Sequence, residues 1–381
     1  MPRRLAVISM LAHHPFTPRG ERTRQLVARL EQDWDVELVA PQRPSQRQGA
    51  APPPRGHPRL RRLAINTLDA LWLDRYEPWS VRHLSRWEPH VDAALMISYP
   101  FSASVYTARK LARKSIPYVV DAGDPWVLTA HQCASTHLAL RRARRAERQL
   151  WRGAAGGVLT TGAQAAALKR LFPELPVLVR PNGYPPLPVD AASRRNGASE
   201  GVLRLAHFGM LSTARLDLRP LLEALAGSGL WRSIVFAQFG DDYVGALDSV
   251  PEGVAVERHP SYPWAEVVER ADNYDLAVVV GNVNPRQLPS KAVQYLTLRV
   301  PRLALTDGSG EDALAGYVRD MPGWLALAPG DREAARRVHE HLAHGWTQEE
   351  LRPPPSEGWP GVVDTVAGFL ERCFDTRAAA A

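Results

Sequence analysis

The chain has 381 residues, 45% hydrophobic and 23% charged, a balance that excludes disorder for the bulk of the chain and fits two globular domains. Two cysteines, Cys133 and Cys373, exclude a disulfide framework and a cysteine-based zinc site, and no apolar run reaches the roughly 18–20 residues of a membrane span. The net charge of +7 is almost wholly arginine, since the lysines are only Lys110, Lys114, Lys169 and Lys291; with no zinc finger, aromatic RNA-binding signature or helix-turn-helix to concentrate it, no nucleic-acid partner is expected.

Met1-Pro-Arg-Arg followed by an apolar Leu5 to Ala12 has no small-residue cleavage site, so it reads as a first strand (Leu5–Ser9) and not as a signal peptide. The chain is expected to be cytoplasmic. Apolar residues at Leu26, Val27 and Leu30 predict a helix over Glu21–Glu31, and Val36–Val39 is the next strand. Pro41–Arg62, rich in Pro, Arg and Gln and free of acids, reads as a loop. Strands follow at Ala93–Ile97, Tyr118–Asp121, Gly157–Thr160 and Val177–Arg180. Helices are predicted at Val105–Arg113, Leu138–Trp151 and Ala163–Leu171. Alternation at this spacing means a parallel sheet with helices on both faces.

A Pro-, Ala- and Ser-rich stretch after Pro181 reads as an interdomain linker, after which the pattern restarts. Strands are expected at Leu203–His207, Ile234–Phe239, Val254–Glu257, Leu276–Val280 and Arg302–Leu305. The helices are Asp217–Ala226, Trp264–Ala271 and Ser290–Leu298, with a last one over Trp359–Phe374. The expected organisation is an N-terminal Rossmann-like domain over 1–185, a linker over 186–200, a C-terminal Rossmann-like domain over 201–355, and a terminal helix within 356–381 that packs back on the first domain. Two doubly wound domains place ligands at the carboxyl ends of their strands, with a cleft between them as the expected seat.

The most informative segment is Leu288-Pro-Ser-Lys-Ala-Val-Gln-Tyr-Leu296, followed by Pro301. Pro289 and Ser290 suit a helix start. Lys291 then falls in the first turn, where a cation opposes the helix dipole and an anion would account for it; a solvated lysine on an ordinary amphipathic helix is the plainer alternative. Asp121 and Asp124 lie just past an apolar strand, beside Trp126. They are candidate bases, Trp126 a candidate platform for a ring, and a helix cap at Asp124 before Pro125 is an equal alternative. Asp241-Asp242 reads as a polar turn after Phe239.

In the order and content of these segments the chain resembles the GT-B glycosyltransferases, particularly family 4 and related bacterial polysaccharide enzymes. The Pro-Ser-Lys…Gln-Tyr-Leu…Pro stretch is similar to their diphosphate-contacting pattern. Arg180-Pro-Asn-Gly183 resembles the close of their first domain, Phe208-Gly-Met-Leu211 the opening of the second, and Ala271-Asp-Asn-Tyr-Asp-Leu276 the segment before the donor strand. His13 to Gly20 resembles their loop after the first strand. The resemblance implies a fold of two Rossmann-like domains and transfer of a sugar from a UDP-, GDP- or dTDP-sugar to an acceptor hydroxyl: a glycan, a lipid-linked saccharide or a small natural product. No cofactor and no metal are expected. Gly209, Arg215, His259, Pro289, Ser290, Lys291 and Gln294 are the implied donor site. Asp124, Asp121 and His13 are the implied bases, and Gly20 and Trp126 the implied acceptor or sugar contacts.

The chain departs from that pattern at Met210, where the family has arginine, at Arg215, where it has lysine, and at Arg286 and Gln294, where it has a pair of glutamates. The last change resembles inverting glucuronosyltransferases of the xanthan type, so the family's retention of configuration is not carried over. A catalytically inactive GT-B partner protein and a sugar-nucleotide epimerase are the alternatives. The basic loop through Arg43, Arg47, Arg55, Arg59, Arg61 and Arg62 is either solvated or a contact for the inner face of an anionic membrane.

Overall fold

The computed structural model describes residues 3–13, 17–40, 73–74, 77–124, 126, 137–186 and 201–379. The basic loop over 41–62, nearly all of the linker, Pro125 and Cys133 lie outside the described residues. The chain divides into two compact units, 1–181 with 362–381, and 182–361. The terminal helix, Trp359–Ala379, is therefore grouped from Val362 onward with the first unit.

The first unit is built on a six-stranded parallel sheet. Its strands are β1 (Arg4–Ser9), β2 (Asp35–Val39), β3 (Ala93–Ile97), β4 (Tyr118–Ala122), β5 (Gly156–Leu159) and β6 (Val177–Val179). They lie in the order β2-β1-β3-β4-β5-β6, with Val7 opposite Leu95 and Val120 opposite Gly157. β3, β4 and β5 are buried at every position, which explains why they read as continuous apolar runs and not as alternating ones. Helix Pro18–Leu30 starts three residues earlier than its apolar spacing suggested. Thr17 caps it by accepting from the Gly20 N–H at 3.0 Å, and Pro18 occupies the first turn.

The second unit holds β7 (Val202–Phe208), β8 (Ser233–Phe239), β9 (Val254–His259), β10 (Leu276–Val280), β11 (Arg302–Leu305) and β12 (Trp324–Leu327), in the order β12-β11-β10-β7-β8-β9. Alternate strand residues serve opposite layers. Leu203, Leu205, Ile234, Phe236, Val278 and Leu305 pack with helices Arg219–Ala226 and Ala334–Ala343. Ala206, Phe208, Ala237, Phe239 and Val279 pack with helix Trp264–Ala271 and the segment after Pro289. This is the doubly wound, Rossmann-like arrangement expected from the sequence. β12 and helices Glu77–Leu84, Ala313–Val318 and Ala334–Ala343 carried no assignment in the sequence reading. They are short, and the strand Trp-Leu-Ala-Leu is a four-residue run whose period is indistinguishable from that of a helix.

Candidate functional site

In the second sheet the strand order reverses between β7 and β10, the place where a doubly wound sheet opens a crevice at its carboxyl ends. Three segments converge there. β7 ends at Phe208 and passes into Gly209. The loop beyond returns Arg215 to pair with Asn282, just after β10. Pro289 then starts helix Ser290–Gln294, which tightens to a 3₁₀ turn over Tyr295–Thr297 instead of running on to Leu298. Pro289 is the N-cap and supplies no side-chain acceptor, so no side chain caps the first-turn N–H groups.

The charge at this opening is unbalanced. The Arg215 Nη1 donates to Asn282 Oδ1 at 2.6 Å and to the Val280 carbonyl at 3.5 Å, both uncharged acceptors. The Lys291 ammonium lies 4.9 Å over the Trp264 ring. Among the described residues neither cation has a carboxylate partner. Burial, and then the field of Arg215, push the Lys291 pKa down to about 8. Burial also lowers that of Arg215. Two like charges held half-buried without a counter-charge among the described residues cost free energy, and an anion bound beside both would recover it.

His207 forms the floor. It is 3% exposed, and its Nδ1 lies 2.8 Å from the Val278 carbonyl, so that nitrogen carries the proton and donates it. The opposite nitrogen, Nε2, is buried without a hydrogen-bond partner among the described residues, and a Cβ on Gly209 would stand 3.0 Å from it. Burial, then the nearby Arg215 and Lys291, drive the His207 pKa down to about 4 against the help of the Val278 bond, and the ring is neutral. Gly240, at φ +115°, closes the other side of the loop: a Cβ there would meet the Gly209 carbonyl at 2.8 Å. Gln238 ties the two glycines together by donating to both carbonyls, at 2.6 and 3.2 Å.

The scaffold beneath is locked by two buried side chains. The Tyr295 hydroxyl accepts from the Phe208 N–H at 2.6 Å and donates to the Val278 carbonyl at 3.2 Å, joining the 3₁₀ turn to both strands that flank the crevice. Arg302, 1% exposed, donates to the carbonyls of Tyr295 at 2.9 Å, Leu296 and Leu351 at 3.1 Å, and Leu298. It gathers carbonyls at the end of that turn and of a later helix around one guanidinium, and burial lowers its pKa to about 9.

The structure thus brings Gly209, Arg215, Pro289, Ser290 and Lys291 to the carboxyl end of the second sheet, around the reversal of strand order. Gln294 lies one turn on, half-buried. His259 ends β9 and stacks on Phe239 at 4.4 Å, with the Gly240 N–H donating to its carbonyl at 3.0 Å, so it borders the glycine pair. Asp242 accepts from the N–H groups of Val244, Ala246 and Leu247, which makes the Asp241-Asp242 pair the polar turn its position suggested. Arg286 pairs with Glu311 at 2.7 Å. Among the described residues no group of three or more His, Cys, Asp or Glu is gathered as a metal cage would need.

The candidates in the first unit separate. Asp124 is one-quarter exposed and paired with Arg19, whose guanidinium lies 4.4 Å over the Tyr99 ring; burial lowers the Arg19 pKa to about 10. Asp121 is buried, at 1% exposure. It accepts from Arg22 Nε at 2.7 Å, while Arg22 also donates to the carbonyls of Pro181 at 3.0 Å and Arg180 at 3.2 Å. That ion pair ties β4, the first helix and the end of β6 together. His13 is exposed in the turn after β1. Two expectations are corrected. Trp126 is not an open platform: it is 2% exposed and stacked on Phe101 at 4.7 Å and 4°, so that face packs in the core with Val105 and Ala143. Gly20 is not a loop glycine: it is buried in the first turn of its helix with its N–H already bonded to Thr17.

Arg19, Arg22, His207, Trp264 and Arg302 were missed in the sequence. For His207 a signal existed, since an ionisable residue near the carboxyl end of an otherwise apolar strand is where a doubly wound sheet puts ligand contacts. For the arginines none did, because arginine recurs along the whole chain and nothing local marks these three.

No family model matches the sequence, and no curated protein matches it. The fold does match solved structures along its whole length. A sucrose-phosphate synthase from Thermosynechococcus elongatus is 13% identical and superposes with a TM-score of 0.62, covering 98% of this chain and 100% of that one. The Anabaena protein Alr3699/HepE, solved in complex with UDP and glucose, is also 13% identical, with a TM-score of 0.51 and 99% of each chain covered. At that identity the likeness defines the fold, which is the two-domain, Rossmann-like fold of the GT-B glycosyltransferases.

Proposed function

We propose that this chain is a glycosyltransferase that binds a nucleoside-diphosphate sugar in its second unit and transfers the sugar to an acceptor hydroxyl without a metal ion. The observation that carries the reading is the pair of half-buried cations, Lys291 and Arg215, facing no carboxylate at the reversal of strand order. Such a pair suits the diphosphate of a departing nucleotide, whose charge grows as the bond to the sugar breaks; stabilisation by prearranged donors acts at that moment. Ser290, with the uncapped N–H groups at the helix start, and the Gly209 backbone add neutral donors, and Gln294 and His259 border the nucleoside. His207, neutral at physiological pH, leaves the cations their full charge for phosphate.

Sugar transfer also needs a proton taken from the acceptor, and we assign this to Asp124, which is accessible and oriented by Arg19. His13 is the second candidate. The buried Asp121 is assigned to holding Arg22 in place. The acceptor is a glycan, a lipid-linked saccharide or a small natural product.

Titration calorimetry with UDP, GDP and dTDP, followed by donor-hydrolysis assays with the corresponding sugar nucleotides in the presence of a chelator, tests this reading. Binding of one nucleotide with turnover of its sugar supports it. Binding without turnover or transfer identifies an inactive binder, and sugar-nucleotide interconversion without release identifies an epimerase. Heat with none of the three overturns the donor site.

A further inference from the structure

Helix His137–Gly153 turns Ala139, Ala143, Ala146 and Leu150 inward, and its outer face carries Arg141, Arg145, Arg148 and Arg152 at intervals of four, three and four residues, which align on one side of a helix. Arg144 flanks this stripe. All five are exposed, and none forms a salt bridge or hydrogen bond among the described residues. The neighbouring helix Phe101–Arg113 adds Arg109, which donates to Gln149 at 3.2 Å. The acid on this helix, Glu147, is turned inward and accepts from the Trp151 indole at 3.4 Å, so it does not offset the stripe. A row about 17 Å long thus presents one sign of charge.

At its Arg152 end the stripe runs into a groove of about 780 Å³ on the same unit, at the pole opposite the carboxyl ends of the strands. Leu171, Phe172, Pro173, Leu175 and Pro176 form an apolar wall, and Leu171 is half exposed. Arg152, Arg372 and Arg377 stand around it, with Glu174 as the acid among the lining residues. At the stripe's other end Leu138 is 63% exposed. Arginines contiguous with open apolar surface are the combination an anionic bilayer rewards, with headgroups on the charges and acyl chains on the hydrocarbon; a nucleic acid has no use for the groove.

We propose that this face is a docking surface for a membrane rich in anionic phospholipid, with the stripe on the headgroups and the groove taking acyl-chain or interfacial carbon. The surface is separate from the basic loop over 41–62, and the proposal does not depend on the transferase reading.

The test is co-sedimentation of the full chain with vesicles of phosphatidylcholine alone and with about 30% phosphatidylglycerol, at low and high salt. The wild-type chain is expected to bind only the anionic vesicles and to be released by salt. Arg141→Gln/Arg145→Gln/Arg148→Gln, exposed substitutions checked by an unchanged melting temperature, should weaken that binding at least tenfold. Leu171→Asp should weaken it several-fold while leaving retention by an oligonucleotide unchanged. Undiminished binding by the triple variant overturns the proposal and moves the contact to another surface. Equal binding of oligonucleotide and vesicle, with Leu171→Asp silent, overturns it in favour of a general polyanion site.

Discussion

The two units handle arginine at their carboxyl ends in opposite ways. In the first, the inward-facing arginines each meet a carboxylate: Arg22 with Asp121, Arg19 with Asp124. In the second, Arg215 and Lys291 meet, among the described residues, amide, carbonyl and aromatic groups and no carboxylate. A closed pair holds structure together, whereas an open pair waits for a counter-charge. The contrast separates the fully buried Arg22–Asp121 pair, a strut of the first unit, from two half-buried cations of the second that have no counter-charge among the described residues.

The comparison is open to attack from its strongest side first. Arg22→Ala should destabilise the chain by about 3–5 kcal/mol in a denaturant titration, because it strands the Asp121 carboxylate in the core; a loss below about 1 kcal/mol would show that the pair is not a strut. Lys291→Ala should leave folding intact and lower transfer by about 10²–10³-fold. Unaltered turnover there would remove the open pair from the chemistry.

The pH responses sharpen the second unit's side of the comparison. His207 is neutral in the fold with a pKa near 4 against 6.5 when exposed, so the unfolded chain takes up its proton first as pH falls. Stability should therefore drop between pH 6.5 and 4, by as much as about 3 kcal/mol from this group, and His207→Asn should flatten that slope. Lys291 shifts in the same direction and for the same reason, burial of its charged form, so its stability slope has the same sign at higher pH. Between pH 8 and 10.5 the unfolded chain holds the proton that the folded chain has released, so the protein without nucleotide gains stability from this group as pH rises. Over the same range nucleotide affinity should fall several-fold, and calorimetry beside thermal melts would reveal the two trends diverging. The smallest effect belongs to Trp126→Phe. It should cost less than about 1.5 kcal/mol and leave acceptor affinity unchanged, since the ring packs against Phe101 and not against a sugar.

The strands of both sheets were legible because buried parallel strands are unbroken apolar runs, as in Leu276–Val280. The second unit's site was legible in part, since Pro289, Ser290 and Lys291 are contiguous. His207 and Arg215 reach it only through the pairing of β7 with β10, a relation between residues 71 apart that no local pattern encodes. Trp126 misled for a related reason. An aromatic residue beside two aspartates looks available to a ligand until Phe101, from another helix, is found stacked on it.

Arg302 carries a consequence for motion. It joins the 3₁₀ turn after helix Ser290–Gln294 to β11 and to the carbonyl of Leu351, nearly fifty residues later in the chain. Hydrogen exchange should accordingly find the amides of 292–298, 302–305 and 351–352 opening together with one free energy, as a single cooperative block. A sequence change near residue 351 would then be felt some fifty residues away, as faster exchange of the amides around Lys291 and Tyr295.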